Sequence, residues 1–158
     1  IRCKPGRGGN LFTKERYADF TARLQFRLPP GGNNGLAIRF PGEGTPAFDA
    51  MEIQVLDDAH PKYATLKEWQ YCGSVYSLVA AHRGYVRPAG EWNFEEVTVQ
   101  GSRVKVVLNG TTIVDTDVAK ATPAEGKEHK GRSRTEGHFG FAGHNDPVEF
   151  RAIAIRRL

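Results

Sequence analysis

The chain has 158 residues, of which 39% are hydrophobic and 25% are charged, and its formal net charge is +4. This length suits one domain with a two-layer core, and we expect residues 1–158 to form it. No apolar run approaches the ~20 residues of a membrane-spanning helix, so membrane insertion is not expected. The basic residues are dispersed and match no recognition helix or RNA-binding sheet motif, which argues against nucleic-acid binding.

The first third of the chain predicts short strands separated by turns. Residues 11–13 suggest a brief strand, and 17–28 alternate apolar with polar side chains, as in a strand with one buried face. A stretch rich in Pro, Gly and Asn then predicts a turn. The alternation resumes over 35–40, where Arg39 falls on the face opposite Leu36.

The following strand is the centre of the functional interpretation. Met51, Ile53 and Val55 would point to one face, and Glu52 and Gln54 to the other. A strand that buries one face and presents a carboxylate and an amide on the other can form the floor of a cleft. An ordinary edge strand with polar residues in solvent explains the same pattern.

The middle of the chain is less regular. Residues 57–70 have no clear period, with a helical turn expected near 63–68, and 71–80 have strand character. Residues 92–100, 103–108 and 112–115 predict three strands. Gly-Ser and Asn-Gly pairs separate them, which is typical of tight hairpins.

The last part predicts a loop and two strands. Residues 119–137 are highly charged and predict a mobile loop, whose basic run 127–134 is either a lid or ordinary solvated surface. Residues 138–142 and 148–156 predict the final strands. Many short strands and almost no helix indicate an all-β sandwich of two antiparallel sheets, and the uneven loops favour a jelly roll.

The two cysteines define neither a metal site nor an obligatory disulfide. Cys3 and Cys72 would form one bridge in an oxidising compartment, but the sequence does not show that they approach each other. No Cys/His cluster has zinc spacing. Two unpaired thiols are the simpler interpretation.

A set of short motifs follows one order along nearly the whole chain. They are YADF at 17–20, FRLPPGGNNG at 26–35, MEIQVLDD at 51–58, GSVY at 73–76, RPAGEWN at 87–93, LNG at 108–110, GHFGF at 137–141 and PVEFR at 147–151. In these the chain resembles the bacterial 3-keto-disaccharide hydrolase family, also described as 3-keto-glucoside 1,2-lyase/3-keto-2-hydroxy-glucal hydratase domains. One departure is the absence of the family's usual opening segment, as if the chain lacked the first strands or were cut from a longer protein.

The resemblance implies a concanavalin- or laminarinase-like jelly roll, a periplasmic or extracellular location, and a small carbohydrate partner. It also implies cleavage of glycosides already oxidised to a ketone at sugar carbon 3. Such a carbonyl acidifies the C2 proton, and loss of that proton expels the group on C1. The site needs a base, an acid and a group that stabilises the enolate oxygen, but not the paired carboxylates of ordinary glycosidases.

Three residues are the catalytic candidates. Glu52 is a general base or metal ligand, or a structural carboxylate paired with Arg39. Arg39 would orient Glu52 or stabilise an enolate, or form only that salt bridge. His144 lies in a loop before the last strand, where an imidazole suits proton exchange, metal ligation or a plain surface role.

Other residues are candidates for substrate contact. The predicted set is Gln54, Tyr76, Trp92, His138 and Asn34. Tyr76 and Trp92 would stack on a sugar ring or donate a hydrogen bond, although a core position is favoured for Trp92.

No cofactor is required by the sequence, but a divalent cation is compatible with it. Its candidate ligands are Glu52, Asp57, Asp58 and His144, and an Asx-turn explains the two aspartates without a metal. The oligomeric state is not specified. A non-catalytic carbohydrate-binding module of a larger secreted or surface protein is the alternative function, because jelly rolls support both roles.

Overall fold

The structure is a computed structural model that describes residues 1–6 and 9–158. Its strands, in chain order, are β1 (Asn10–Tyr17), β2 (Phe20–Arg27), β3 (Asn33–Phe40), β4 (Met51–Leu56), β5 (Trp92–Gln100), β6 (Arg103–Leu108), β7 (Thr111–Asp117), β8 (Gly137–Gly143) and β9 (Glu149–Arg157). One sheet has the order β1-β8-β3-β4, and the other has the order β7-β6-β5-β2-β9. All pairings between these strands are antiparallel. The predicted all-β sandwich is therefore confirmed.

Helical structure is confined to single turns. They are α1 (Pro46–Asp49) and the 3₁₀ turns Pro61–Tyr63, Glu68–Gln70, Val118–Lys120, Ala124–Gly126 and Lys130–Ser133. Within the described part of the chain, no helix has the length and apolarity to cross a membrane. The turn expected near 63–68 is thus split into two turns on either side of that range.

The core lies between the inner faces of the two sheets. Alternation along β2 and β4 places side chains such as Phe20, Leu24, Met51 and Ile53 there, each with no exposed surface. The opposite face of β4 is also buried, although its residues include Glu52. An acidic side chain is therefore enclosed on the outer side of the four-stranded sheet.

Two parts of the strand prediction are wrong. The alternation over 17–28 spans two strands, because the chain bends at 18–19 between β1 and β2. Residues 71–80 form only isolated bridges, in which Val75 pairs with Ile53 and Val79. Gly73 and Ser77 have φ of 81° and 62°, and this left-handed backbone interrupts an extended run.

The last strand changes phase in its middle. Phe150 is buried, but Ala152 has a φ of 50°, and the pairing of β9 with β2 shifts register at this point. Beyond the irregularity, Ile155 packs against the core, although simple alternation would place it on the opposite face from Phe150. A β-bulge thus explains why one alternating pattern does not fit the whole strand.

Candidate functional site

Three neighbouring strands bring Glu52 and His144 together. β3 lies between β8 and β4, and Asn34 is level with Gly143 on one side and Val55 on the other. His144 directly follows Gly143, and its Nε2 lies 3.5 Å from Glu52 Oε1. This is an ion-pair separation that is long for a hydrogen bond.

Gly35 on β3 makes this approach sterically feasible. A Cβ at residue 35 would lie 2.1 Å from Glu52 Oε1 and 2.5 Å from its Cγ. The Glu52 side chain therefore lies over Gly35 and extends from β4 toward the loop that carries His144. Any larger residue here would displace the carboxylate, because non-bonded carbon contacts need about 3.5–4 Å.

The Glu52 carboxylate is buried, whereas its imidazole neighbour is accessible. The side chain of Glu52 is 5% exposed and that of His144 is 45% exposed. Among the described residues, Glu52 Oε1 has no hydrogen-bond partner. The contact with Glu52 raises the pKa of His144, while burial acts in the opposite direction and Asp146 acts in the same one.

The loop that carries His144 is anchored to the same sheet. The backbone N–H of Asn33, at the start of β3, donates to Asp146 Oδ2 at 3.0 Å. Asn33 Oδ1 accepts from Gln54 Nε2 at 2.8 Å. The beginning of β3 thus connects the His144 loop with the polar face of β4.

These side chains enclose a cavity of about 180 Å³, which we call the glutamate cleft. Its polar lining is formed by Asn33, Glu52, Gln54, Gln70 and His144. The half-exposed His144 side chain leaves this polar cavity accessible to solvent.

An aromatic wall forms another side of the glutamate cleft. Phe48 from α1 and Tyr76 both line it, with ring centroids 6.2 Å apart at 80°. The Tyr76 hydroxyl accepts a hydrogen bond from Gln70 Nε2 at 3.2 Å, and Trp69 packs edge-on against Tyr76 at 4.9 Å. Aromatic faces of this kind suit the C–H face of a sugar.

The family of the chain follows from a comparison with family models. The model described as the 3-keto-alpha-glucoside-1,2-lyase-like domain matches residues 1–156. The chain belongs to this family. The predicted resemblance is therefore confirmed over almost the whole length of the lyase-like domain.

Individual relatives agree with this assignment. A 3-keto-disaccharide hydrolase of Bacteroides thetaiotaomicron is 26% identical over an alignment of 186 residues, which covers 99% of this chain and 64% of the relative. The chain thus spans slightly less than two thirds of that protein. A crystal structure of a proposed glycosyl hydrolase from Parabacteroides distasonis has a TM-score of 0.87 and 27% identity, covering 97% of this chain and 85% of that one.

A more distant neighbour supports the fold alone. The carbohydrate-binding module CBM66 from Bacillus subtilis has a TM-score of 0.58 at 12% identity, with 99% of this chain and 91% of that chain covered. Together with the Parabacteroides structure, it confirms the predicted jelly-roll class for the lyase-like domain.

Arg39 does not belong to the glutamate cleft. Its backbone φ is 56°, and the pairing of β3 with β8 shifts register around it. This bulge directs the guanidinium group to the carbonyls of Ala18, Gly101 and Arg134 and to Asp19 Oδ1, at 2.8–3.1 Å. The expectation that Arg39 orients Glu52 or stabilises an enolate there is therefore replaced by a structural role.

Three predicted substrate contacts also lie elsewhere. Trp92 begins β5 in the other sheet, where Arg151 Cζ lies 3.8 Å from its ring centroid. His138 Nδ1 is 2.9 Å from the carbonyl oxygen of Thr13, on the β1 side. Asn34 is fully buried and donates to Cys3 Sγ at 3.4 Å. The neighbouring Asn33, one position earlier on the alternating strand, is the residue that lines the cleft.

The four candidate metal ligands separate into two places. Glu52 and His144 meet, but Asp57 Oδ2 accepts from the Gly31 N–H at 2.8 Å and Asp58 Oδ1 from the Cys72 N–H at 2.9 Å. No three His, Cys, Asp or Glu side chains converge as a metal cluster within residues 1–6 and 9–158. The two aspartates thus hold distant loops together, and these long-range bonds replace the local Asx-turn that was the alternative to metal binding.

A larger hollow of about 710 Å³ borders Asp57 and Asp58 on one side and Arg83 and Arg87 on the other. Its size does not make it the better site. Arg83 stacks on the Tyr71 ring at 3.4 Å, and the two carboxylates are engaged by backbone N–H groups. In the smaller glutamate cleft, by contrast, a buried carboxylate lies next to an accessible imidazole.

Several lining residues were not found from the sequence. Phe48 lies on a single helical turn, and Tyr63 and Gln70 lie on 3₁₀ turns in a segment without periodicity. Their residue types, aromatic and amide, were the only signal in the sequence, because no regular pattern predicts that these segments lie against β4.

Proposed function

We propose that the domain cleaves the glycosidic bond of sugars that carry a ketone at carbon 3, by elimination followed by hydration. Membership of the 3-keto-alpha-glucoside-1,2-lyase-like family supports this reaction class. The observation that carries the proposal is the pairing of a buried carboxylate with an accessible imidazole in a polar cavity with an aromatic wall.

The reaction needs only proton transfers and charge stabilisation. Removal of the C2 proton leaves its bonding electrons on C2, from which they delocalise onto the ketone oxygen as an enolate. Collapse of the enolate restores the ketone, forms a C1–C2 double bond and breaks the bond from C1 to the leaving oxygen, which takes up a proton. Water then adds its hydroxyl to C1 and a proton to C2, which converts the elimination product into the free 3-keto sugar.

We assign the proton transfer to His144, with Glu52 behind it. The imidazole is the more exposed of the pair and can reach the sugar, whereas the carboxylate is almost fully enclosed. A carboxylate in this position orients the ring and stabilises the imidazolium that forms when the C2 proton is taken. The raised pKa of His144 fits a stronger base held by Glu52.

Polar residues around the pair are assigned to the sugar hydroxyls and the ketone. Gln54 donates to Asn33 Oδ1, which leaves the Asn33 amide NH₂ for a substrate oxygen. The Tyr76 hydroxyl accepts from Gln70, which leaves its own proton for donation to the departing oxygen. These donors would stabilise developing negative charge inside an enclosed site.

The test is to incubate the domain with 3-keto-trehalose and 3-keto-sucrose in D₂O and to follow sugar release by mass spectrometry and NMR. Elimination and hydration place solvent deuterium at C2 of the released 3-keto sugar, above a protein-free control. Release without C2 deuterium would instead show direct hydrolysis. Parallel reactions with a chelator, with and without added Mg²⁺ or Ca²⁺, measure metal dependence.

A carbohydrate-binding module is the competing function. It predicts saturable binding of the same sugars, measured by calorimetry, without release of product. Absence of cleavage of every oxidised glycoside, together with binding, would overturn the enzymatic proposal. A location outside the cytoplasm remains part of the proposal, and fractionation of cells that produce the full-length protein would test it.

A further inference from the structure

His129 is a buried histidine in a largely exposed loop. Only 3% of its surface is accessible, and it lies in the segment between β7 and β8. Neither ring nitrogen has a hydrogen-bond partner in residues 1–6 and 9–158. Buried polar groups are normally paired, so an imidazole enclosed without partners calls for an explanation.

The ring of His129 packs behind the aromatic wall of the glutamate cleft. Its centroid lies 6.0 Å from that of Phe48, with the two planes at 65°. Phe48 contacts Tyr76, and Tyr76 contacts Trp69. A continuous set of rings therefore runs from His129, outside the cleft, to Phe48 and Tyr76, which line it.

The loop around His129 is tied to both segments that carry this wall. The Ala124 N–H donates to the carbonyl of Ser77 at 2.7 Å, next to Tyr76. Arg134 Nε donates to the carbonyl of Asp49 at 2.6 Å, next to Phe48. Gly131 lies so close to α1 that a Cβ there would be 1.8 Å from the Ala50 carbonyl oxygen.

The charged groups near His129 come from α1 and from its own loop. Burial is the main cause that lowers the pKa of His129, and the positive charge of Arg132 acts in the same direction. The backbones of His129 and Tyr76 and the carboxylate of Asp49 oppose the shift. Lys127 Nζ lies 5.8 Å from the Phe48 ring centroid and adds a second positive charge nearby. The net effect of these groups favours the neutral imidazole.

We propose that neutral His129 is a positioning residue that holds Phe48 and Tyr76 in place, and that its protonation loosens this aromatic wall. An imidazolium would be a buried charge packed against the Phe48 ring, and because burial outweighs the opposing backbone groups and Asp49, this charge is costly unless the ring moves toward water. Movement of His129 removes the support behind Phe48. The part that concerns sugar binding rests on the proposed function, but the structural part does not.

The structural part of the proposal, loosening of the aromatic wall, can be measured by the fluorescence of Trp69. The chain has two tryptophans, and a Trp92→Phe background leaves Trp69, which contacts Tyr76, as the fluorescent reporter. We expect the Trp69 emission to change between pH 7.5 and pH 5, with a midpoint below about 6.5, the ordinary histidine value. His129→Phe, which keeps a ring but cannot be protonated, should abolish the change.

The controls separate His129 from the other histidines. His82 is exposed, so His82→Phe should keep the transition in full. His129→Gln serves as the second non-titrating variant should His129→Phe fail to fold, as judged by circular dichroism. A transition that persists in the folded His129 variant, or its absence in the Trp92→Phe parent, would overturn the proposal.

A kinetic arm tests the consequence for the sugar. With a 3-keto-glycoside substrate, we expect KM of the parent to rise about two- to tenfold from pH 7.5 to pH 5.5, the size of effect that a lost ring contact gives. The His129 variant should keep a constant KM over this range, while kcat follows His144 in both proteins. If the parent cleaves no such sugar, the proposed function fails, and the fluorescence result still decides the role of His129.

Discussion

Two buried glutamates on opposite sheets have different physical roles. Glu52 on β4 is 4% exposed, lies at a cavity and has an imidazole 3.5 Å away. Glu95 on β5 has no exposed surface, points inward with Val97, and has no hydrogen-bond partner for either oxygen among the described residues. Burial alone therefore does not make a site. A carboxylate needs a strand face that a second titratable group and a ligand can reach.

The environment of Glu95 has a clear electrostatic result. Burial raises the pKa of Glu95 from 4.5 to about 8. The side chain is then a neutral carboxylic acid at physiological pH, enclosed between hydrophobic layers. We expect Glu52 to matter for activity and Glu95 for stability, and the following variants test that division.

The largest effect is expected for Glu52→Gln. Removal of the charge that stabilises the His144 imidazolium should lower kcat/KM by about 10²- to 10⁴-fold, the usual contribution of acid–base catalysis. The measurement is the rate of 3-keto-glycoside cleavage from pH 6 to pH 8, because only the neutral His144 imidazole can take the C2 proton. Glu95→Gln is the matched control, since Gln resembles the neutral acid and the residue lies outside the cleft. Equal losses in both variants would contradict the comparison.

Glu95→Gln should change the pH dependence of stability. Between pH 4.5 and about 8, the unfolded chain releases the Glu95 proton while the folded chain retains it. The unfolding free energy of the parent should therefore fall as pH rises through this range, by roughly 5 kcal/mol in total. Urea unfolding at pH 5 and pH 8.5 measures the difference, which the variant should lose. Exposed Glu91→Gln should leave it intact.

Gly35→Ala should damage the Glu52 region specifically. The added methyl group meets the Glu52 side chain at 2.1–2.6 Å, so the carboxylate must move away from His144. Overpacking of this kind costs about 1–3 kcal/mol, and cleavage activity should fall with it. Gly9→Ala is the control, because a Cβ at Gly9 meets no atom of the described residues within 4 Å. Full activity of Gly35→Ala would show that the position of Glu52 is not critical.

His144→Asn should have the smallest effect on stability. The raised pKa of His144 means that the pair stabilises the fold fully below about pH 6.5 and that this contribution is lost as pH rises through the folded value. Because the imidazole is half-exposed, we expect less than ~1 kcal/mol. Unfolding at pH 6 and pH 9 in a Glu95→Gln background measures it without the larger glutamate effect. A variant that keeps the parent's difference would contradict the Glu52–His144 contact.

The sequence predicted side-chain positions correctly where alternation along one strand is enough to determine them. Met51, Ile53 and Val55 occupy the core, as their spacing predicts, and Glu52 and Gln54 lie on the opposite face. The pairing of Glu52 with His144 was suggested only by residue chemistry and family resemblance. Their meeting depends on strand order, which periodicity does not specify.

Backbone irregularities explain most of the differences. Arg39 has a left-handed backbone and directs its guanidinium group to the carbonyls of loops, and Ala152 shifts the phase of β9. Neither position is a glycine, so composition does not mark them as bulges. The role of Phe48 was equally hidden, because its turn is held by contacts with a loop far along the chain.

The strand that carries Gly35, β3, pairs with β8 on one side and with β4 on the other, and this order has a consequence for folding. Glu52 and His144 are separated by more than half the chain, and they meet only after β8 has paired with β3. Such distant pairings form slowly because much chain entropy is lost before they are made. Catalytic competence should therefore appear only with the completed sheet, and recovery of activity during refolding would time the closure of β8 onto β3.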